Sequence, residues 1–326
     1  MRQVYPGGSA LTDAVLAALY DYPDLGPPPA RWLRANMVAS LDGAATADGR
    51  SGGLSGEADR QVFAMLRAHA DVILVGAGTA RAERYAPVRP ESEGVRWAWL
   101  RDGRPPSPPI AVVTRELDLD LDSALIAGTF PHARTIIITT SSAMPGRRDA
   151  AAARNAEVIV AGEASVDMKA AVDALAERGL QRISCEGGPH LLAQLADAGL
   201  LDELCLTISP LVTGPGADRI VTGGLPMPGG HTLPFRLVHV LEDESYLLCR
   251  YVRPSSWLAV GAEPAELPQD VAEVEADRLF KLLVGARLRV PVGPPADELG
   301  GVPEPPALHV VVAHLDYPLR AQRDER

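Results

Sequence analysis

The sequence predicts an α/β fold, in which a mostly parallel β-sheet has helices on both faces and finishes in an antiparallel hairpin. Short apolar runs typical of strands alternate with helix-like segments through residues 32–208. Two further strand-like runs, residues 235–241 and 246–252, follow each other without a helix between them. Asp243 and Glu244 separate these two runs, and such a polar turn favours an antiparallel hairpin at the edge of the sheet.

The individual elements follow from the periodicity of the apolar residues and from the residues at each end. Residues 71–75 (DVILV) are almost entirely apolar, which is typical of a central parallel strand. Ser55 is the expected N-cap of a helix that carries Glu57 in its first turn. Strands are predicted at residues 32–40, 71–75, 110–113, 135–140, 157–160, 182–185 and 203–208, and helices at residues 11–20, 55–69, 166–178 and 190–198.

Composition divides the chain into three parts. Residues 1–30 form an N-terminal lead-in with a proline-rich end, and residues 31–253 hold the alternating strands and helices. Residues 254–326 form an extension rich in proline, glutamate and alanine, which we expect to be only partly ordered. Within this extension the pattern predicts one helix, residues 270–283, and one short strand, residues 308–312.

Charge and cysteine content limit the possible functions and locations. The 326-residue chain has a net charge of −11, which argues against nucleic acid or anionic membranes as partners because both need a basic surface. The sequence has neither a signal-peptide pattern nor a segment apolar enough to span a bilayer. Cys185, Cys205 and Cys249 lack C-x-x-C spacing, so we expect no disulfide framework and no metal site. The expected location is the cytoplasm.

The first glycine-rich segment follows the predicted DVILV strand and leads into a helix. Residues 76–81 (GAGTAR) carry Arg81 where a Rossmann fingerprint requires glycine, so that fingerprint is absent. The backbone N–H groups and the Thr79 hydroxyl can still bind a phosphate. Taken alone, the segment is explained equally well as a tight turn without a function.

A second glycine-rich segment, residues 185–191 (CEGGPHL), also connects a predicted strand to a predicted helix. Its two glycines allow the backbone to approach a ligand closely, and Pro189 suits a first helical turn. Glu186 lies where the carboxyl ends of parallel strands face a ligand crevice. Two such turns in one sheet favour a diphosphate ligand more strongly than either turn does alone.

Polar side chains follow two other predicted strands. Thr114 and Arg115 come directly after residues 110–113, and a hydroxyl beside a guanidinium suits the 2′-phosphate of NADPH. Asn36, Ser40 and Asp42 lie at the end of the first predicted strand. Polar groups there are costly if they are buried without partners, so they either contact a ligand or are exposed at the turn.

Three segments carry a resemblance to a known family. They are residues 36–43 (NMVASLDG), 53–85 (GLSGEADRQVFAMLRAHADVILVGAGTARAERY) and 185–214 (CEGGPHLLAQLADAGLLDELCLTISPLVTG). In order and spacing, residues 31–252 resemble the reductase domain of the riboflavin-biosynthesis pyrimidine reductases. The chain is most similar to stand-alone actinobacterial-type members of this family, including the LYDYPD segment at residues 19–24.

The resemblance implies a dihydrofolate-reductase-like fold, NADPH as the hydride donor and a homodimer. The family reduces the ribosyl group of an aminopyrimidine ribose phosphate to ribityl. Together with the motifs above, it implies a cofactor site of Ala39, Gly76, Gly78, Thr79, Thr114, Arg115, Gly187, Gly188, Pro189, His190 and Leu191. The implied substrate site consists of Asn36, Ser51, Arg67, Glu83 and Arg89, in which the two arginines grip the substrate 5′-phosphate. Asp42 and Glu186 are the candidate catalytic carboxylates, because a carboxylate can stabilise a cationic imine.

Departures from the family pattern concern the substrate. Gly53 stands where many bifunctional members have a tryptophan, and Glu83 stands where an aspartate is common. The zinc deaminase signature of the bifunctional members is absent from the sequence. Three hypotheses therefore stay open: a ribosylaminopyrimidine phosphate reductase, a reductase of a pteridine, dihydrofolate-like or other small substrate, and a non-catalytic NADPH-binding paralogue.

Overall fold

The computed structural model describes residues 1–6, 9–89, 104–223 and 232–254. The strands are β1 (Arg2–Tyr5), β2 (Ser9–Ala10), β3 (Trp32–Ala39), β4 (Val72–Gly76), β5 (Ile110–Val113), β6 (Ile136–Thr139), β7 (Glu157–Val160), β8 (Arg182–Cys185), β9 (Glu203–Ile208), β10 (Arg236–Asp243) and β11 (Tyr246–Val252). The helices are α1 (Asp13–Leu19), α2 (Glu57–His69), α3 (Ala77–Ala82), α4 (Ala124–Ala127), α5 (Pro145–Ala153), α6 (Met168–Ala176) and α7 (Pro189–Asp197), with a 3₁₀ helix at Ser51–Gly53.

These strands form a single sheet in the order β2-β1-β10-β11-β9-β3-β8-β4-β5-β6-β7. The pairings from β9 through β7 are parallel, whereas β11, β10, β1 and β2 pair antiparallel. The predicted mostly parallel sheet with an antiparallel C-terminal hairpin is therefore confirmed. Each strand predicted between residues 32 and 252 is present within about two residues of its expected bounds, the usual uncertainty at element ends.

The predicted position of the hairpin at the edge of the sheet is wrong. β1 pairs antiparallel with β10, so the N-terminal residues cover the edge that the hairpin would otherwise expose. Charge pairing accompanies this contact, because the Met1 ammonium lies 3.0 Å from Asp243 and Arg2 lies 2.7 Å from Glu242. The four-residue strand β1 carries too little pattern to be recognised from the sequence.

Ser55 is not the N-cap of α2. The helix begins at Glu57, Gly56 is its N-cap, and the Ser55 hydroxyl instead bonds the Asp59 carboxylate. A Cβ atom at Gly56 would lie 2.6 Å from ring carbons of Tyr246, so only glycine fits against that ring. The start of α2 is thus set by packing against β11, which a local capping pattern does not reveal.

The sheet separates two hydrophobic cores, as its burial on both faces requires. The first core packs α1 and α2 on the sheet through residues that include Leu16, Leu66, Ile73, Val112 and Leu248. The second packs α6 and α7 on the opposite face through residues that include Leu33, Leu74, Val172, Ile183 and Leu195. No helix within the described ranges is long and apolar enough to cross a membrane. The predicted helix at residues 270–283 and strand at residues 308–312 lie outside the described residues.

The unequal lengths of β3 and β8 open a crevice at the carboxyl ends of the parallel strands. β8 pairs with β3 only through Ala35, which lies opposite Cys185. β3 continues to Ala39 and pairs there with β9 alone. One edge of β3 is therefore not covered by β8 beyond Ala35. The chain after β8 continues into the glycine-rich turn that precedes α7.

A buried charge cluster joins β3, β9 and β11 away from that crevice. Glu203 accepts hydrogen bonds from Arg34 at 2.7 and 3.1 Å and from Arg250 at 2.7 and 3.1 Å. The Trp32 indole N–H donates to the same carboxylate at 2.8 Å. Burial acts to raise the pKa of Glu203, but Arg250 and Arg34 outweigh it and lower the pKa to about 2. Removing one member of such a buried network costs about 3–5 kcal/mol.

His239 lies beside this cluster and makes stability depend on pH. Its side chain is 1% exposed, packs edge-on against Tyr20, and has no hydrogen-bond partner for either ring nitrogen among the described residues. Burial, and next the charge of Arg250, lowers the pKa of His239 to about 3. The folded state therefore binds fewer protons than the unfolded state between that value and the unfolded pKa of about 6.5.

We expect the contribution of the neutral His239 to the free energy of unfolding to be at its full value above about pH 6.5, and the free energy of unfolding to fall as the pH is lowered toward 3. In urea titrations at about pH 7.5 and about pH 5, His239→Phe should reduce this loss by about 1–2 kcal/mol relative to the parent protein. His132→Gln changes an exposed histidine and is the control. Equal losses in the parent protein and in His239→Phe would contradict a buried neutral imidazole.

Candidate active site

A cleft of about 440 Å³ lies at the carboxyl ends of β4, β5 and β8. Two of its walls come from the turn that opens α3 and the turn that opens α7, and the third comes from the residues after β5. Of the predicted cofactor residues, those that line it are Gly76, Gly78, Thr79, Thr114, Arg115, Gly188, Pro189, His190 and Leu191. The structure thus brings together residues that are far apart in the sequence.

The two glycine-rich turns touch each other directly. A Cβ atom at Gly188 would lie 2.3 Å from the Thr79 hydroxyl oxygen, so the close approach requires glycine there. Gly187 has a φ of +78°, which L side chains rarely adopt, and it lies against Met37 of β3. The Gly76 N–H donates to the Gly187 carbonyl at 2.8 Å, which fixes the turn after β8 on the end of β4.

The backbone on the inner side of the cleft is accessible. A Cβ atom at Gly78 would meet nothing within 4 Å, so this glycine faces open space. α7 begins at Pro189 without a side-chain cap and without an acidic residue in its first turn. The first N–H groups of a helix lack intrahelical acceptors, and the helix dipole favours a negative charge at this end. This part of the cleft is therefore suited to a phosphate group.

A hydrogen-bonded unit of Glu186, Arg67 and Tyr85 lies on the face of the sheet that α2 covers. Arg67 donates to both oxygens of Glu186, at 2.7 and 2.8 Å, and the Tyr85 hydroxyl donates to the same carboxylate at 2.6 Å. The Arg67 guanidinium also lies over the Phe63 ring at 4.1 Å. The side chains of Arg67 and Glu186 are only 14% and 2% exposed. Burial, and next the negative charge of Glu186, raises the pKa of Tyr85 well above its usual value.

Two predicted substrate residues are also brought into contact. The Ser51 N–H and hydroxyl donate to the same oxygen of Glu83, at 2.8 and 3.0 Å. Ser51 begins the 3₁₀ helix and Glu83 is the C-terminal cap of α3, so this contact ties the segment before α2 to the end of α3. Gly53 ends the same 3₁₀ helix, and a Cβ atom there would lie 3.0 Å from that of Ala47.

Asp42 anchors a loop. Its carboxylate accepts hydrogen bonds from the Ser40 hydroxyl at 2.5 Å and from the N–H groups of Thr213 and Gly214 at 3.2 and 2.8 Å. The Ser40 hydroxyl, and then the Thr213 N–H, lowers the pKa of Asp42 to about 2. These bonds join the turn after β3 to the segment after β9. The catalytic role predicted for Asp42 stays a prediction, since the contacts themselves indicate that it positions this loop.

Of the remaining predicted residues, Ala39 and Asn36 lie on the part of β3 that borders the crevice, whereas Arg89 lies beside Phe130 in the segment before β6. Ala39 ends β3 and is buried, and Asn36 lies in the part of β3 that pairs with β9 alone. Arg89 is exposed, and its guanidinium lies over the Phe130 ring at 5.3 Å. Phe130 in turn stacks on His132, with the two rings 5.4 Å apart. Within the described residues, no group of histidine, cysteine, aspartate and glutamate side chains is suited to a metal ion.

Tyr85 and Arg81 lie at this site but were not predicted from the sequence. Tyr85 lies in a loop after Arg84, which has a φ of +54°, so no periodic pattern marks it. Arg81 served in the sequence only to exclude a Rossmann fingerprint. A guanidinium one turn from a candidate phosphate-binding segment is, however, a positive signal for an anionic ligand.

Gly78 gives a direct test of the cleft. Gly78→Ala should raise the free energy of unfolding by roughly 0.5–1 kcal/mol, because alanine is favoured over glycine inside a helix and nothing obstructs its Cβ. The same methyl group should weaken binding of NADPH, measured by fluorescence titration, because it projects into the cleft. Gly146→Ala, at another helical glycine with open space at its Cβ, is the control. Unchanged NADPH binding in Gly78→Ala would show that the ligand does not approach this backbone.

Comparison with known proteins identifies the family of the chain. The family model described as the RibD C-terminal domain matches residues 31–248. The 2,5-diamino-6-ribosylamino-4(3H)-pyrimidinone 5′-phosphate reductase of Archaeoglobus fulgidus is 31% identical over 190 residues, which are 58% of this chain and 84% of that protein. The reductase of the same name from Methanothermobacter thermautotrophicus is 33% identical over 198 residues, 58% and 82% of the two chains.

Solved structures show the same fold. A pyrimidine reductase-like protein from Corynebacterium diphtheriae superposes with a TM-score of 0.61 at 30% identity, over 68% of this chain and 92% of that one. RibD from Acinetobacter baumannii, at 18% identity and a TM-score of 0.55, shares the fold over 68% of this chain and 58% of that one. The predicted dihydrofolate-reductase-like fold is confirmed, and the chain belongs to the RibD C-terminal domain family.

Proposed function

We propose that the protein is an NADPH-dependent reductase that converts the ribosyl group of an aminopyrimidine ribosylamino 5′-phosphate to ribityl. The observation that carries this proposal is the cleft between the two glycine-rich turns. One of these turns, Gly187–Gly188, directly follows Glu186, which forms a buried pair with Arg67. Family membership and the substrate named for the two archaeal reductases support the same assignment.

The residues of the cleft fit a nicotinamide dinucleotide. The Gly188–Leu191 turn and the Thr79 hydroxyl would hold the pyrophosphate, because they combine N–H groups, a helix start and the open backbone at Gly78. The nicotinamide would lie beside Ala39, at the end of β3. Because β3, β8, β4 and β5 are consecutive neighbours in the sheet, the adenosine would then lie at the end of β5. Thr114 and Arg115 are at this end and suit the 2′-phosphate.

The reaction needs little covalent chemistry from the protein. A bound NADPH would supply the hydride for the sugar C1. The bond from C1 to the ring oxygen would break, and that oxygen would take up a proton. The protein's contribution is to align the substrate and to exclude water from the site. Asn36, Ser51 and Glu83 lie on the segments around the crevice and would orient the ribose and pyrimidine.

Arg67 and Glu186 act as a pair in this scheme. Because the guanidinium already binds both carboxylate oxygens, Glu186 is not an unopposed anion that could stabilise a cationic imine. A substrate phosphate would compete with Glu186 for Arg67 and so release the carboxylate. Tyr85 would continue to hold Glu186 through its own hydrogen bond. In this proposal, binding of the substrate phosphate to Arg67 therefore determines whether the Glu186 carboxylate is free to act near the reacting carbon.

The pairing of Arg67 with Glu186 also favours a second candidate function. An arginine that is fully engaged by Glu186 is less available to a phosphate, whereas a neutral pteridine needs no arginine pair. A reductase of a pteridine, dihydrofolate-like or other small substrate is therefore the alternative. A non-catalytic NADPH-binding paralogue is the third candidate, and it differs from both in having no turnover.

Oxidation of NADPH, followed by absorbance, separates these candidates. The substrates are 5-amino-6-(ribosylamino)uracil 5′-phosphate, its 2,5-diaminopyrimidinone analogue and dihydrofolate. We expect turnover of a ribosylamino compound, and we expect Arg67→Ala to lower its kcat/KM by about 100-fold, since hydrogen bonds to charged groups contribute about 1.5–3 kcal/mol. Arg60→Ala, at an exposed position of the same helix α2, is the matched control.

Two results would contradict the proposal. Turnover of dihydrofolate alone, unchanged in Arg67→Ala, would establish the alternative reductase. NADPH binding without turnover of any of the three compounds would establish that the protein is a non-catalytic NADPH-binding paralogue.

We also propose a cytoplasmic location. Cys185, Cys205 and Cys249 are buried and form no disulfide. Burial raises the pKa of Cys185 to about 12, so this thiol stays protonated. Thiols of this kind are usual in a reducing compartment, where NADPH is also available.

A homodimer through the antiparallel half of the sheet completes the proposal. On the face opposite α1, residues of β9 and β11 stand in register as apolar pairs, Leu206 with Cys249 and Ile208 with Leu247. Leu237 and Leu247 are each 37% exposed there. Among the described residues, the core beneath α6 and α7 contains no buried residue of β10 or β11, and we propose that a second copy covers this part of the face.

Sedimentation velocity tests the dimer. We expect the parent protein to sediment as a dimer and Leu247→Glu as a monomer, because a charge buried in an apolar interface is costly. Val160→Glu changes an exposed apolar residue of β7, at the other edge of the sheet, and should stay dimeric. A dimeric Leu247→Glu, or a monomeric parent protein, would contradict this interface.

A further inference from the structure

The adenosine end of the cleft contains a second arginine, Arg81, that faces Arg115 across the opening. Arg81 lies on α3, on the wall that carries Gly78 and Thr79, whereas Arg115 follows β5 on the other side. We propose that Arg81 is a specificity-determining residue, which together with Arg115 clamps the 2′-phosphate and so selects NADPH over NADH. This inference rests on the proposed dinucleotide site and adds to it a residue that no motif indicated.

The loop opposite Arg81 is held rigidly. The carbonyl of Arg115 accepts hydrogen bonds from the hydroxyls of Thr139 and Thr140, at 3.1 and 2.9 Å. Arg147 donates to the carbonyl of Leu117 at 2.9 and 3.1 Å and to that of Leu119 at 2.7 Å. These bonds determine where the outward-facing side chains of the loop lie.

Exposed and buried side chains alternate along this loop, residues 115–119. Leu117 and Leu119 are buried in the core, whereas Arg115, Glu116 and Asp118 are exposed toward the cleft. Leu117 reaches this position with a φ of +57°, a conformation that is uncommon for a residue other than glycine. The loop therefore presents its charged side chains to the cleft on a fixed backbone.

Arg81 reaches across to this loop. Its guanidinium donates to the carbonyl of Asp118 at 2.5 Å and lies 3.3 Å from the Asp118 carboxylate. The bond to the backbone holds the side chain at the mouth of the cleft and is independent of the Asp118 charge. Arginine presents five N–H donors, so this anchored guanidinium still has donors for a phosphate.

The carboxylates at this end balance the arginines. Arg115 pairs with Glu116 at 2.7 Å, as Arg81 does with Asp118, and all four side chains are at least half exposed. Exposed pairs of this kind are weak, so a dianionic phosphate can replace the carboxylates as the partner of both arginines. A cofactor that lacks this phosphate leaves both pairs intact and gains nothing from either arginine. The selection for the phosphate therefore depends on both sides of the cleft.

Calorimetric binding of adenosine 2′,5′-bisphosphate and of 5′-AMP tests the clamp without requiring turnover. We expect the parent protein to bind the bisphosphate more tightly. Arg81→Gln and Arg115→Gln should each weaken bisphosphate binding by roughly tenfold or more and leave 5′-AMP binding within about twofold. Arg81→Lys, which keeps the charge but loses the forked donors, should lie between Arg81→Gln and the parent protein.

Arg154→Gln is the matched control, because Arg154 is an exposed arginine that pairs with Asp122 outside the cleft. Loss of the bisphosphate preference in Arg115→Gln but not in Arg81→Gln would overturn the role of Arg81 and leave the proposed reductase standing. Equal binding of both nucleotides by the parent protein would overturn the clamp and, with it, the assignment of NADPH as the preferred cofactor. Asp118→Asn removes a repulsive charge but not the carbonyl anchor, so weaker bisphosphate binding in this variant would also contradict the clamp.

Discussion

The early end of β8 is the constraint on which the candidate active site depends. β8 stops opposite Ala35, and β3 continues to Ala39 with only β9 beside it. The chain leaves β8 through Glu186 and two glycines, so a carboxylate and an accessible backbone both arise at this step in the sheet. Because β4 and β5 end next to it, the glycine-rich turn before α3 and the loop after β5 form the other walls. A longer β8 would fill the crevice.

The polar site is possible because stability is supplied elsewhere. Arg34, Arg250 and Glu203 form a buried cluster that holds β3 and β11 on β9, at a distance along the strands from the crevice. Two apolar cores cover the faces of the sheet. The residues around the cleft are therefore not required for stability and can serve ligand binding. The Arg67–Glu186 pair is the exception, since it lies at the site and is nearly buried.

The strands and most of the longer helices could be predicted because apolar periodicity and glycine ends are local signals. The two glycine-rich turns that line the cleft could be predicted for the same reason, since each is a continuous segment. Contacts between distant segments could not: β1 beside β10, Gly56 against Tyr246, and Tyr85 on Glu186 all depend on tertiary packing. The pairing of Arg67 with Glu186 was also not predicted, because the sequence motifs indicate a separate ligand contact for each residue and not a contact between them.

We propose that a nicotinamide dinucleotide lies across the ends of β3, β8, β4 and β5. Hydrogen–deuterium exchange with and without NADPH tests this position, because slowed exchange identifies the backbone that the ligand covers. We expect slower exchange in residues 36–39, 76–81, 114–118 and 187–191, and no change in the cluster of Arg34, Glu203 and Arg250. Protection confined to other segments, or none at saturating NADPH, would contradict it.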